Sequence, residues 1–196
     1  YKEGSIRTAL NRNCRFGFVA GGYDDRGPYK KLFMTDQVQY TPGVTAMLVG
    51  AHTKDGIIQA VNKRSCFATT GARMILGFSI ANAPIGSEIS TKNKPGINYN
   101  RHISGYAVGT DHVKEIAIIR NGLVYKTINP NPNDEYSYEF TIDDSDPLSS
   151  ILIQTSKDEP KFAYYYMRVT QEDGHIGWAS PIWINANDQA NPSKKS

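Results

Sequence analysis

The chain has 196 residues, 39% hydrophobic and 21% charged, which is enough apolar content to bury a core in one large or two small domains. Twelve tyrosines, seventeen glycines and ten prolines favour strands and turns over long helices, and no apolar run reaches the ~20 residues of a membrane span. The net charge of +3 divides unevenly: residues 1–73 carry 11 Lys/Arg against 5 Asp/Glu, and residues 74–196 carry 11 against 14. A basic front suits an anionic ligand such as a phosphorylated small molecule. No nucleic-acid recognition motif or aromatic-interleaved basic stripe accompanies it, so nucleic acid is not expected as a partner.

In chain order, residues 5–13 read as a short helix capped by Ser5, with Ile6, Ala9 and Leu10 as its apolar stripe. Arg15–Ala20 reads as a buried strand, and Gly21–Pro28 must be a loop. Val44–Val49 is a second candidate buried strand. Thr53 can cap the next helix, with Asp55 in its first turn, Lys63 and Arg64 in its last, and Ile57, Ile58 and Val61 on one face. Helix, strand and a Gly/Asp loop at a strand end follow α/β logic, in which ligands and metals collect at that end.

From Cys66 onward the pattern changes to short strands and turns. Arg73–Ala81 and Gly86–Ser90 flank a turn at Asn82–Pro84, residues 91–100 form a polar loop, and His102–Val108 and Val113–Arg120 are strands. Asn121-Gly122 and Asp173-Gly174 are hairpin turns, since each supplies the positive φ that a tight turn needs. Tyr136–Ile142 alternates. Asp143, Asp144 and Asp146 read as a solvated acidic turn, with weak calcium binding as the functional alternative. In Phe162–Thr170, Tyr165, Met167 and Val169 face one way and Tyr164, Tyr166 and Arg168 the other. Trp178 and Trp183, on the returning segment, can cover the apolar face. Seven or so such strands predict an antiparallel β-sandwich of immunoglobulin-like shape. The expected organisation is an α/β segment over 1–73, a sandwich over 74–185 and a polar tail over 186–196. The fold class is thus α+β or mainly β.

Cys14 and Cys66 are too few for a disulfide scaffold; buried free thiols or a single bridge both fit. The start at Tyr1 suggests a processed or excised piece of a soluble protein, cytoplasmic or exported. None of His52, His102, His112 and His175 has the spacing of a zinc pair. His52 follows a predicted strand and precedes a helix, which makes it a spare metal or general-base candidate. No nucleophile elbow, P-loop or dinucleotide-binding glycine pattern occurs.

Three segments resemble the C-terminal part of the PHP-like superfamily, specifically its DUF3604 type. Cys14–Arg26, ending Gly-Gly-Tyr-Asp-Asp-Arg, is similar to a late barrel strand closing on Gly-Ser-Asp-x-His. Gly56–Arg73 is similar to a helix followed by Arg-x-Tyr-Ala-Thr-Thr-Gly-x-Arg. The third segment runs from Tyr164 through Trp183. The resemblance implies a metal-dependent phosphoesterase-like (β/α) barrel with an appended β-sandwich, of which this chain holds the last barrel elements and the sandwich. Its partner would be the remainder of the parent barrel. The cofactor would be a divalent metal (Mn, Zn or Fe) bound in the parent and not fully held by this chain, since His-x-His is absent. Asp24 falls at the metal-ligand Asp. Arg26 stands where the ligand His is expected; a guanidinium cannot coordinate a metal but can hold a phosphate oxygen. A match shifted by one position would make Asp25 the ligand. Asp24 and Asp25 also suit plain capping of loop amides. The alternative function is a non-catalytic β-sandwich module binding carbohydrate or protein.

Overall fold

The computed structural model describes residues 4–21, 43–130 and 136–186. Helix α1 (Ile6–Asn11) starts where Ser5 accepts a hydrogen bond from the Thr8 amide (3.2 Å), and it buries Leu10. The following residues, 15–20, form no strand, contrary to expectation. Their hydrogen bonds go to side chains: Phe18 N–H donates to the Ser180 hydroxyl (2.8 Å) and Ala20 N–H to the Thr45 hydroxyl (2.9 Å). An extended segment lying across a sheet shows the same apolar pattern as a strand within one.

Strand β1 (Val44–Met47) and helix α2 (Lys54–Asn62) occupy the expected places, and the Thr53 hydroxyl caps α2 by accepting from Gly56 N–H (3.1 Å). β1 is not buried, however; Val44 and Met47 are exposed. It pairs antiparallel with β2 (Cys66–Thr69), so α2 joins antiparallel neighbours and closes no parallel crossover.

The remaining strands form two largely antiparallel sheets. These are β3 (Ile75–Ile80), β4 (Ala83–Pro84), β5 (Glu88–Ser90), β6 (Arg101–Val108), β7 (Val113–Arg120), β8 (Leu123–Ile128), β9 (Ser137–Asp144), β10 (Phe162–Gln171), β11 (Ile176–Ala179) and β12 (Ile182–Asn185). A short helix α3 (Leu148–Ile151) follows β9. The smaller sheet has the order β4-β3-β6-β9. The larger runs β1-β2-β11-β10-β12-β5, with β7 on the other edge of β10 and β8 beyond it. One pairing in it, β12 with β5, is parallel. Because β2 bonds to β11, this sheet runs through the expected boundary at residue 73.

β10 organises the core through its alternation. Ala163, Tyr165, Met167 and Val169 meet Leu76, Phe78, Ile80, Ile103 and Phe140 of the smaller sheet, which makes a sandwich. Phe162 and Tyr164 point the other way, joining Trp183, Ala68, Phe18 and Leu10 under the cover of α1 and residues 15–20. Each large apolar side chain fully buried contributes roughly 1.5–3 kcal/mol. Both hairpins form. Asn121 and Gly122 have φ of 50° and 76° between the paired Arg120 and Leu123, a two-residue turn. At Asp173-Gly174 the loop is three residues, closed by Gln171 N–H to the His175 carbonyl, with Gly174 at φ 83°. The polar loop at 91–100 contains a 3₁₀ turn, Pro95–Asn98, that buries Ile97.

Candidate functional site

Asp24, Asp25 and Arg26 lie outside the described residues. Their flanks are fixed. Ala20 is tied to Thr45 through two hydrogen bonds to one hydroxyl, and a Cβ on Gly43 would fall 2.6 Å from that of Ala20. Gly21 and Gly43 therefore stand side by side at the start of β1. His52 sits after the other end of β1, exposed, in the turn leading to α2. A cleft of about 460 Å³ opens beside it, lined by Leu48, Ala51, Thr53, Asp55, Gln59 and Lys63 among others. Gly56 is required here: a Cβ would fall 2.3 Å from the Ala51 carbonyl oxygen, so glycine lets the 50–53 turn lie on the first turn of α2.

The segment Arg64–Arg73 serves as joinery. Arg64, at φ 55°, donates to the Gly86 carbonyl (3.1 Å) and to Glu88 (2.7 Å), and its guanidinium lies 5.2 Å over the Trp183 ring. Arg15 reaches the other oxygen of Glu88. The Thr69 hydroxyl donates to the Ala72 carbonyl (2.7 Å) and accepts from Gly71 N–H (3.2 Å), which shapes the turn that leaves β2. Thr70 accepts from Ile176 N–H (2.9 Å), locking that turn to β11.

A site that sequence reasoning missed lies inside the sandwich. Asp144, expected in a solvated turn, is the last residue of β9 and fully buried, as is Arg101. One Asp144 oxygen accepts from Arg101 (2.8 Å) and from Asp146 N–H (3.1 Å); the other accepts from Arg120 (2.8 Å) and the Tyr165 hydroxyl (2.7 Å). Arg101 also donates to the carbonyls of Ile97 (2.9 Å) and Asp146, and the Arg120 guanidinium lies 4.4 Å over the Tyr125 ring. Burial pushes the Asp144 carboxyl up, but the donations from Arg101, Tyr165 and Arg120 outweigh it and hold the group below its ordinary value. Burial raises the Tyr165 phenol, and its bond to Asp144 adds to that. With four donors on two oxygens, this carboxylate has no lone pair left for a metal or a substrate, so its role is to tie β9 to β6, β7 and β10. The signal was present in the sequence: the inward series Tyr138, Phe140, Ile142 extends by two to Asp144. Asp143, on the opposite face, is exposed and meets His102 (3.0 Å).

Cys66 is buried 3.5 Å from the Ser180 hydroxyl, whereas Cys14 is exposed; both are free thiols. Among the described residues no three His, Cys, Asp or Glu side chains stand where they could share a metal ion, and no helix is long and apolar enough to cross a membrane.

No family model matches the chain, and no solved structure matches it. It is similar to a protein of Chlamydia muridarum (strain MoPn / Nigg), 49% identical over 185 residues, and to proteins of Chlamydia pneumoniae (48%) and Chlamydia trachomatis serovar D (47%). All three are described as uncharacterized. Each match takes in 94% of this chain but 29% of the relative, so the chain spans under a third of the length of the curated relatives it matches.

Proposed function

We propose that the chain is the C-terminal part of a longer PHP-like protein of the DUF3604 type, a metal-dependent phosphoesterase, and that its immunoglobulin-like sandwich braces the catalytic barrel. β1 and α2 are the last barrel elements in this reading. Asp24, with Asp25 or His52 as weaker candidates, contributes to a metal site completed elsewhere in the parent, and Arg26 holds a phosphate oxygen of the substrate. A divalent metal bound there would activate water and neutralise phosphoryl charge.

The observation that carries the reading is the β2–β11 ladder. It bonds β1 and β2, which follow the proposed metal-binding loop, into one sheet with the sandwich strands, and this supports a bracing role for the sandwich. The length of the relatives leaves room for a separate catalytic body. The test is hydrolysis of a generic phosphomonoester by the longer protein loaded with Mn²⁺, Zn²⁺ or Fe²⁺. The longer protein is expected to turn over, and Asp24→Ala to lower its activity by at least about 10–100-fold, the loss typical of disturbing even the shell around a metal. A longer protein inactive with all three metals overturns the enzymatic reading. Turnover by the 196-residue chain alone, abolished by Asp24→Ala, overturns the incomplete site.

A further inference from the structure

Among the described residues, one corner carries several large apolar side chains that are exposed. α2 advances about 100° per residue, which arranges Ala60, Ile57, Val61 and Ile58 in that order around a single stripe. Only Ala60, at one margin of the stripe, is buried; Ile57, Val61 and Ile58 are 38%, 54% and 47% exposed. β1 adjoins this helix, and its Val44 and Met47 are exposed as well. Among the described residues β1 is bonded to β2 alone, and no described strand pairs with its other edge.

Proteins blunt such edges with charge or cover them. β8, another outlying strand of this sheet, carries Lys126; β1 reads Val-Thr-Ala-Met and carries no charge. An apolar helix stripe beside an uncharged open edge has the form of half an α/β layer whose other half is missing.

We propose that this corner is where the chain docks onto the remainder of the longer polypeptide, which lays a strand along the free edge of β1 and packs apolar side chains over Ile57, Val61 and Ile58. The inference rests on the reading above that the chain belongs to a longer protein. Length argues for this occupant: about seven tenths of each relative lies outside the match, while nearly all of this chain lies within it. The lost cover is then chain-internal, and no separate binding partner is needed.

The test compares amide hydrogen exchange of α2 and β1 in the 196-residue chain and in the longer protein. The α2 amides are expected to exchange at least about tenfold more slowly in the longer protein, as for backbone moved from a fraying surface into a packed one. Ile58→Glu with Val61→Glu should restore fast exchange there and leave thermal unfolding of the 196-residue chain unchanged; Val124→Glu on β8, also at an exposed position, should leave both the slow exchange of α2 and the unfolding unchanged. Equal exchange in both contexts overturns the proposal. So does strong protection already present in the 196-residue chain, whether supplied by residues 22–42 or by a second copy, which concentration-dependent sedimentation separates. The mass of the native polypeptide is an independent readout. A native protein of only these 196 residues overturns the longer-protein reading, whereas a long one with fast-exchanging α2 overturns the docking alone.

Discussion

Four hydrogen-bond donors converge on the buried carboxylate of Asp144. Arg101 brings β6 to it, Arg120 the end of β7, and Tyr165 the middle of β10. Truncation to Ala removes the carboxylate that, among the described residues, pairs with the fully buried Arg101 side chain. Removing one member of a buried ion pair typically costs about 3–5 kcal/mol, so Asp144→Ala is expected to lower the urea midpoint by that equivalent with the slope unchanged. Tyr165→Phe removes one donor of four and should cost about 1–3 kcal/mol. If Asp144→Ala proves as stable as the native chain, the network is dispensable. Composition concealed this residue, because Asp-Asp-Ser-Asp-Pro looks like a turn whether or not its second aspartate points inward; only the two-residue period of β9 distinguishes the cases.

At the level of elements, local chemistry and fold agree wherever a backbone group needed a specific partner or a specific φ. The Ser5 and Thr53 caps and both glycine hairpins are read directly from short motifs, and all four form. Gly174 isolates the backbone contribution, because its φ is 83° and a Cβ there meets nothing within 4 Å. Gly174→Ala should therefore cost about 1–2 kcal/mol, the left-handed penalty for an L-residue, and a D-alanine introduced by semisynthesis should recover it; chemical denaturation reads both. Residues 15–20 form no strand: an apolar run reports contact with a core but not which neighbour supplies its hydrogen bonds; β1 forms as expected but lies exposed rather than buried. The pairing of β2 with β11, more than a hundred residues apart, leaves no local trace at all. Asp24, Asp25 and Arg26 rest on resemblance alone, whereas the position of His52 between β1 and α2 followed from the sequence.

For the whole molecule, titration of the buried groups brackets the pH range of stability. Asp144 has a folded-state pKa below its ordinary value, so its contribution is present above about pH 4 and is lost as pH falls through the folded value. Tyr164, Tyr165 and Tyr166 are all raised, first by burial, so folding holds their protons longer than the unfolded chain does. Stability should then decline as pH rises above about 10, the ordinary phenol value. Thermal melts across pH are expected to show a plateau with shoulders at both limits. Asp144→Asn should flatten the acid limb, and the alkaline limb should coincide with the appearance of tyrosinate absorbance. A melt that stays level through pH 3 would remove Asp144 from the account.

The two thiols stand differently toward the covering segment 15–20. Cys14 is open to solvent, while Cys66 lies beneath Gly17, where a Cβ would come within 2.8 Å of its sulfur. An alkylating reagent should therefore modify one sulfur at once and the other only when the 15–20 strap lifts from the sheet. If alkylation of Cys66 follows strap lifting rather than global unfolding, its rate will be insensitive to Asp144→Ala; if both must open together, that substitution will accelerate it in proportion. The chain thus carries its own stopwatch for whether its outer cover peels off before the sandwich comes apart.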